Sequence, residues 1–283
     1  MEIKKVGVVG CGLMGSGIAQ VCIQSGYQTV VSEINDQLLG KGMAGIESNL
    51  AKTVAKGKLT QEQKDIIWGR LKGTTNVADF ADCQLVIEVI VEKMEAKKKL
   101  FSDLDRICPP EALLASNTSC LSIIEMAGAT RKPDKVLGMH FFNPPPTMRL
   151  VEVIKTISTS QESVDAAKKF VTSVGKVPVE AQDLPGFVVN RLLVPYLFDA
   201  MRLLEAGAAT REDIDQGMVL GCNHPMGPLT LSDFVGLDTL YFIANNMYEE
   251  FKEPRFAPPV LLKKMVAAGR LGRKSGRGFY EYK

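Results

Sequence analysis

VGVVGCGLMGSGIAQ, residues 6–20, passes from a short apolar strand (Val6–Val9) through a glycine-rich turn into a helical pattern carried by Ile18, Val21 and Cys22. Strand, glycine turn and helix in that order are what a dinucleotide fold requires. Gly10 permits the tight turn, Gly12 admits a close approach of backbone amides to a pyrophosphate, and Gly15 lets helix and strand pack together. The helix N-terminus then faces the negative charge. A second strand, Gln28–Ser32, ends at Glu33, eighteen residues past Gly15. An acid at that place accepts both ribose hydroxyls of NAD and repels the 2′-phosphate of NADP.

Outward from this unit, apolar runs and amphipathic patterns alternate. Leu39, Met43, Ile46, Leu50 and Val54 recur at steps of four and three, which predicts a helix over 36–56. Its far end carries Lys52, Lys56 and Lys58, read either as a solvated face or as a landing site for a phosphate-bearing substrate. Thr60 and Gln63 form a capping-box pattern opening another helix that closes near Gly73. Such a paired-helix insertion suggests a substrate-facing arm. Strands follow at Leu85–Val91, bearing Glu88 and leading to Glu92, and at Ala112–Ala115. The second delivers Ser116-Asn117-Thr118-Ser119 at its C-terminal end, where ligands collect in open α/β sheets. The same four residues also read as a turn and cap for a helix over 121–127. Thr159 and Glu162 suggest a further cap, with a helix to Gly175 and a last strand over 176–181.

Leu137–Val153, LGMHFFNPPPTMRLVEV, holds one of the chain's two histidines. His140 sits in an apolar strand, where a histidine is ordinarily a satisfied core residue. Twelve positions later Glu152 lies on a returning strand, and a proline-rich turn could bring the two together. A carboxylate on one ring nitrogen fixes the tautomer and leaves the other as a proton acceptor.

Beyond Asp183-Leu-Pro185-Gly186-Phe187 almost only helix is predicted: 188–206, a helix opened by Thr210–Asp213, 229–251 and 260–268, ending in a basic, glycine-rich tail. The fold expected is therefore α/β, an N-terminal Rossmann-type parallel sheet with a helical-arm insertion over 1–184, followed by an all-α domain over 185–283. A helical piece of that kind often dimerises.

The chain has 283 residues, of which 46% are hydrophobic and 23% charged, as in an ordinary soluble globular protein. No run reaches the roughly 20 apolar residues of a membrane span. The N-terminus enters a strand directly, with no signal peptide in view. A net charge of +2 gives no reason to expect nucleic acid. Its six cysteines (Cys11, Cys22, Cys83, Cys108, Cys120, Cys222) show neither C-x-x-C pairs nor metal-ligand spacing. The expectation is a cytoplasmic protein without disulfides, bound metal or membrane contact.

GCGLMGSGIAQ (10–20), SNTSCLSI (116–123), GMHFFNPPP (138–146), LVEVI (150–154), DLPGFVVNR (183–191), NHPMGPLTLSDFVGLD (223–238) and GRLGRKSGRGFYEY (269–282) occur in one chain and in this order. Together they resemble the short-chain 3-hydroxyacyl-CoA dehydrogenases, most of all the bacterial 3-hydroxybutyryl-CoA dehydrogenases, over essentially the whole length. The resemblance implies interconversion of 3-hydroxybutyryl-CoA and acetoacetyl-CoA with a nicotinamide cofactor, a homodimer formed through the helical domain, and an acyl-CoA substrate. It implies His140 as catalytic base, Glu152 as its acidic partner, and Ser119 and Asn190 as the polar pair on the substrate. It assigns Gly10, Gly12, Leu13, Met14, Gly15, Glu33, Glu92, Lys97, Ser119, Asn143 and Lys274 to the cofactor, and Lys52, Lys56 and Ser119 to the CoA substrate. Asn190, at the start of the second domain, would make chemistry depend on domain closure.

Two positions depart from the pattern. Glu33 stands where many relatives have Asp, which leaves NADP open beside NAD. Cys120 stands where Ser is common, and receives no role. Two other functions share the layout. A β-hydroxyacid dehydrogenase for small free acids uses a lysine base, and the His–Glu pair and CoA-directed arm argue against it. A dinucleotide-binding structural or sensor protein has no need of His140, Glu152, Ser119 and Asn190 together.

Overall fold

The computed structural model of the protein describes residues 2–282. The chain divides into two compact units, Met1–Asp183 and Leu184–Lys283.

The first unit holds eight strands: β1 (Lys5–Val9), β2 (Gln28–Ser32), β3 (Leu71–Thr74), β4 (Leu85–Glu88), β5 (Leu113–Ser116), β6 (Val136–Phe141), β7 (Leu150–Lys155) and β8 (Val177–Gln182). Its helices are α1 (Leu13–Gln24), α2 (Asp36–Ala55), α3 (Gln61–Trp68), α4 (Met94–Ile107), α5 (Ile123–Ala127) and α6 (Gln161–Ser173). The strands form one sheet in the order β3-β2-β1-β4-β5-β6-β7-β8. β1 to β6 run parallel, β7 turns back antiparallel to β6, and β8 runs parallel to β7. The order reverses between β1 and β4, and the crevice outside the strand ends at such a switch point is where ligands bind in open α/β sheets.

Burial explains why the central strands read as unbroken apolar runs. β4 and β5 are buried at every position, as expected of parallel strands covered on both faces. The tight turn after β1 depends on Gly10, whose φ is +104° and whose added Cβ would lie 2.5 Å from the Val89 carbonyl oxygen. An added Cβ on Gly15 would lie 1.8 Å from the Gly10 carbonyl oxygen, so α1 can approach β1 only with glycine there. On α2, only Ile46 and Leu50 are fully buried. Each such side chain stabilises by roughly 1.5–3 kcal/mol, which seats the middle of the helix on the sheet. The far end, carrying Lys52 and Lys56, stays exposed.

The second unit is helical: α7 (Val189–Glu205), α8 (Arg211–Cys222), α9 (Pro228–Val235), α10 (Leu237–Phe251) and α11 (Val260–Ala267). Buried Asp215 accepts hydrogen bonds from the Leu229 and Thr230 amides at the start of α9 and from the Tyr280 hydroxyl. Buried Asp233 accepts from the Phe279 and Tyr280 amides and the Tyr282 hydroxyl. These two carboxylates fix the C-terminal tail to the bundle. No helix among the described residues is long and apolar enough to cross a membrane.

Several local expectations are corrected. The helix expected to close near Gly73 ends at Trp68, and Leu71–Thr74 is instead an edge strand parallel to β2. With four residues and one buried side chain, it carries no alternation to read. The strand expected over 85–91 stops at Glu88, and the helix expected from 121 starts at Ile123. There the Asp183 carboxylate accepts the Ile123 and Ile124 amides, a cap supplied from sixty residues away. The cap of α6 is Ser160, which accepts from the Ser163 amide; Thr159 instead closes a turn with Thr156. The helix expected over 229–251 breaks at Gly236, whose φ of +100° leaves helical space.

Candidate active site

His140 and Glu152 are direct cross-strand partners in the antiparallel β6–β7 pair. A register pair projects its side chains on one face of the sheet, so the strands alone bring imidazole and carboxylate together. His140 Nδ1 lies 2.7 Å from Glu152 Oε2. The carboxylate is fully buried and the ring nearly so. On its other edge, Nε2 lies 3.1 Å from Ser119 Oγ. A carboxylate against Nδ1 favours the Nδ1–H tautomer, which leaves Nε2 as the acceptor and the Ser119 hydroxyl as donor. Phe142 packs on the ring, with centroids 4.6 Å apart.

Ser119 is placed by the turn after β5. Thr118 Oγ1 accepts from the Cys120 and Leu121 amides, and Asn117 Oδ1 accepts from the Phe141 amide, joining the turn to β6. Of the four polar residues in the turn, Thr118 caps it and Ser119 meets the histidine. The Ser119 amide itself donates to Glu92 Oε1 at 3.1 Å.

The glycine loop faces several clefts. One, of about 300 Å³, is lined by Gly12, Leu13, Met14, Gly15, Glu92, Lys97, Asn117 and Ser119 among others. The second, of about 790 Å³, runs past Gly10, Gly12 and Glu33 to apolar Ile34, Leu38, Val91 and Leu100. Glu33 is held by amides: Oε1 accepts from Cys11 at 3.1 Å and Oε2 from Ile34 at 2.8 Å. Burial, with Glu33 beside it, pushes the Cys11 thiol up to about 11, so it stays protonated. Near Gly12 the N-terminus of α1 has no side-chain cap, and an added Cβ there meets nothing within 4 Å.

Lys52 and Lys56 line a third cleft of about 400 Å³ with Ser16, Gln20, Asn49 and Pro144–Pro146. Asn143 opens on this cleft, together with Leu13. The other two expected site residues belong to the second unit. Asn190 is in the first turn of α7, and Lys274 forms an ion pair with Asp238.

Sequence reading gave no role to Glu88. It is fully buried at the end of β4. Its Oε1 lies 2.6 Å from Lys97 Nζ and accepts the Ile90 amide, while Oε2 accepts the Ser116 hydroxyl at 2.6 Å. Lys97 Nζ also lies 3.1 Å from Glu92 Oε2. A carboxylate inside the apolar run 85–91 was the available signal, because a buried charge must be paired.

Comparison with known proteins identifies the family. Residues 5–184 match the model of the 3-hydroxyacyl-CoA dehydrogenase NAD binding domain, and residues 186–282 match that of the 3-hydroxyacyl-CoA dehydrogenase C-terminal domain. The chain belongs to the 3-hydroxyacyl-CoA dehydrogenase family. It is 50% identical over 282 residues to the 3-hydroxybutyryl-CoA dehydrogenase of Mycobacterium tuberculosis, covering 99% of both chains. It is 44% identical over 289 residues to the mitochondrial hydroxyacyl-coenzyme A dehydrogenase of Sus scrofa, covering 99% of this chain and 92% of that one. Among solved structures, (S)-3-hydroxybutyryl-CoA dehydrogenase from Ralstonia eutropha superposes with a TM-score of 0.97 at 43% identity, over the whole of both chains. A 3-hydroxyacyl-CoA dehydrogenase fold thus accounts for both units of this chain.

Proposed function

We propose that this chain interconverts 3-hydroxybutyryl-CoA and acetoacetyl-CoA with a nicotinamide cofactor, using His140 as the acid/base group. The observation that carries the reading is the line Ser119–His140–Glu152, with contacts of 3.1 and 2.7 Å. In the oxidative direction Nε2 takes the proton of the 3-hydroxyl, and the imidazolium formed is stabilised by the Glu152 carboxylate on Nδ1. In the reductive direction protonated His140 returns that proton to the 3-oxygen. Ser119 and Asn190 are proposed to meet the substrate oxygens, following the resemblance. A positioned group of this kind contributes about 10²–10⁴-fold in rate.

A dinucleotide held along Gly10–Gly15 would supply the hydride carrier. The residues fit such a group: the uncapped α1 N-terminus suits a diphosphate, and the Glu33 carboxylate, held by the Cys11 and Ile34 amides, is a suitable acceptor for ribose hydroxyls. The fixed carboxylate favours NAD over NADP. Glu92, Lys97, Asn143 and Lys274 are proposed as further cofactor contacts, following the resemblance. Lys52 and Lys56 are proposed to meet the phosphates of CoA, supported by the cleft they share with Ser16 and Asn49.

We also infer a cytoplasmic homodimer that pairs through the second unit. Exposed Leu192 and Leu203 on α7 and Leu220 on α8 support pairing, and the buried thiols of Cys11, Cys22, Cys83 and Cys108 suit a reducing compartment. Initial rates with acetoacetyl-CoA and with free acetoacetate, each with NADH and with NADPH, test the reading. NADH-dependent turnover of the thioester alone is expected, and turnover of acetoacetate at a comparable rate would overturn it.

A further inference from the structure

We propose that Glu88 is a positioning residue for the Ser119–His140 contact. The inference rests on the reading of His140 given above. Paired polar groups connect the two places in an unbroken series, from buried Glu88 and Lys97 to half-buried Glu92 and Ser119. Glu88 takes three hydrogen bonds: from the Ser116 hydroxyl, the Ile90 amide and the Lys97 ammonium. Lys97 is 1% exposed, so its charge has no water to lean on. Its ammonium is divided between two carboxylates, Glu88 at 2.6 Å and Glu92 at 3.1 Å. Glu92 uses its other oxygen to receive the Ser119 amide, and the Ser119 hydroxyl reaches His140 Nε2.

The geometry gives each member a distinct task. Glu88 is fixed from three sides at the end of a central strand, and it is the only one of the two carboxylates that is fully buried. The side chain of Glu92 is 33% exposed and stands on the loop after β4, so it lacks that anchorage. Lys97 transfers the rigidity of Glu88 to Glu92. Glu92 then sets the height of the Ser119 backbone, and with it the hydroxyl beside the imidazole. If Glu88 loses its charge, the buried ammonium is left with Glu92 alone and draws it inward. Ser119 loses its amide partner or follows it. A misplacement of about 1 Å near the reacting atoms costs on the order of 10²-fold in rate.

Glu88→Gln keeps the shape and removes the charge. The chain has two histidines, so ¹⁵N-detected imidazole spectra of the protein without ligand show two ring systems, and His140→Gln assigns them. In Glu88→Gln the His140 ring resonances are expected to move while those of His224 stay. Turnover of acetoacetyl-CoA is expected to fall about 10- to 100-fold, with the KM for the thioester within about twofold of the parent. A folded Glu88→Gln protein with parent-like His140 resonances, or with kcat within twofold of the parent, overturns the proposal. If Glu88→Gln does not fold, Ser116→Ala removes one of the three bonds to Glu88 and is read by the same two measurements. A shifted His140 resonance with reduced kcat supports the proposal, and parent-like values overturn it. His140→Gln separates the two claims: an inactive His140→Gln beside a parent-like Glu88→Gln sinks the positioning role alone, whereas an active His140→Gln sinks the acid/base reading itself.

Discussion

Replacing Glu152 with Gln isolates the electrostatic part of the proposed chemistry. The amide fills the same fully buried volume opposite His140, so the β6–β7 register and the packing remain. What is lost is a negative charge whose oxygen lies 2.7 Å from Nδ1. Imidazolium and carboxylate charge centres at such a contact are about 4 Å apart. At that distance their attraction is about 4 kcal/mol for an effective dielectric constant of about 20. Since each 1.36 kcal/mol or so is tenfold in rate, the imidazolium-forming step should slow about 10³-fold. The amide can also rotate to donate to Nδ1. Nε2 then carries the ring proton and the base is lost, which moves the result in the same direction. The assay is kcat for 3-hydroxybutyryl-CoA oxidation by NADH absorbance, beside the Kd for NADH by fluorescence titration. A loss of about 10³-fold in kcat with parent-like NADH affinity is expected. A kcat within tenfold of the parent would refute the argument, because the carboxylate would then contribute no more than an ordinary neutral hydrogen bond.

Three other outcomes follow from the same structure. In Gly15→Ala the new Cβ meets the Gly10 carbonyl group, which is backbone and cannot swing aside; NADH affinity should fall at least about tenfold, with a stability loss of about 1–3 kcal/mol, and unchanged affinity in titration would show that the loop does not hold the dinucleotide. Lys52→Ala and Lys56→Ala should each raise the KM for acetoacetyl-CoA by at most about fivefold, because exposed ion pairs contribute about 0.2–1 kcal/mol. The effect should shrink at high salt, and a large loss of kcat at constant KM would contradict a CoA-binding role. Burial pushes the Cys22 thiol from 9.0 up to about 12, so the unfolded chain loses that proton first. Stability that is complete below about pH 9 should therefore fall as pH rises toward 12, by about 1.4 kcal/mol per pH unit for each such thiol. Urea unfolding across that range should give a shallower decline in Cys22→Ala, and an identical decline would refute the assignment.

The parts of this molecule that could be read from residues are those where one local pattern and one physical requirement coincide. The glycine loop is an example: Gly10 and Gly15 are demanded by contacts with backbone, and the strand and helix flanking them carry strong apolar patterns. His140 and Glu152 were legible as neighbours because a proline-rich turn sends the chain back on itself, and the alternation of strands then fixes which side chains share a face. Features set by distant residues were not legible. Leu71–Thr74 is a strand because β2 offers it an edge, and nothing in LKGT announces that. Asp183 caps α5 across sixty residues. Gly236 interrupts what periodicity reads as one helix, since a lone glycine also occurs within helices, as Gly217 does in α8. Glu88 announced itself only as a charge in an apolar run. Its partners, Lys97 and Ser116, lie on another helix and another strand, and only the folded sheet brings them together.

The central claim is that Nε2 of His140 exchanges a proton with the 3-oxygen of the substrate. Its most direct test is the turnover of His140→Gln with acetoacetyl-CoA and NADH both saturating. The account predicts a loss of at least about 10²-fold with both ligands still bound, and turnover near that of the parent would contradict it.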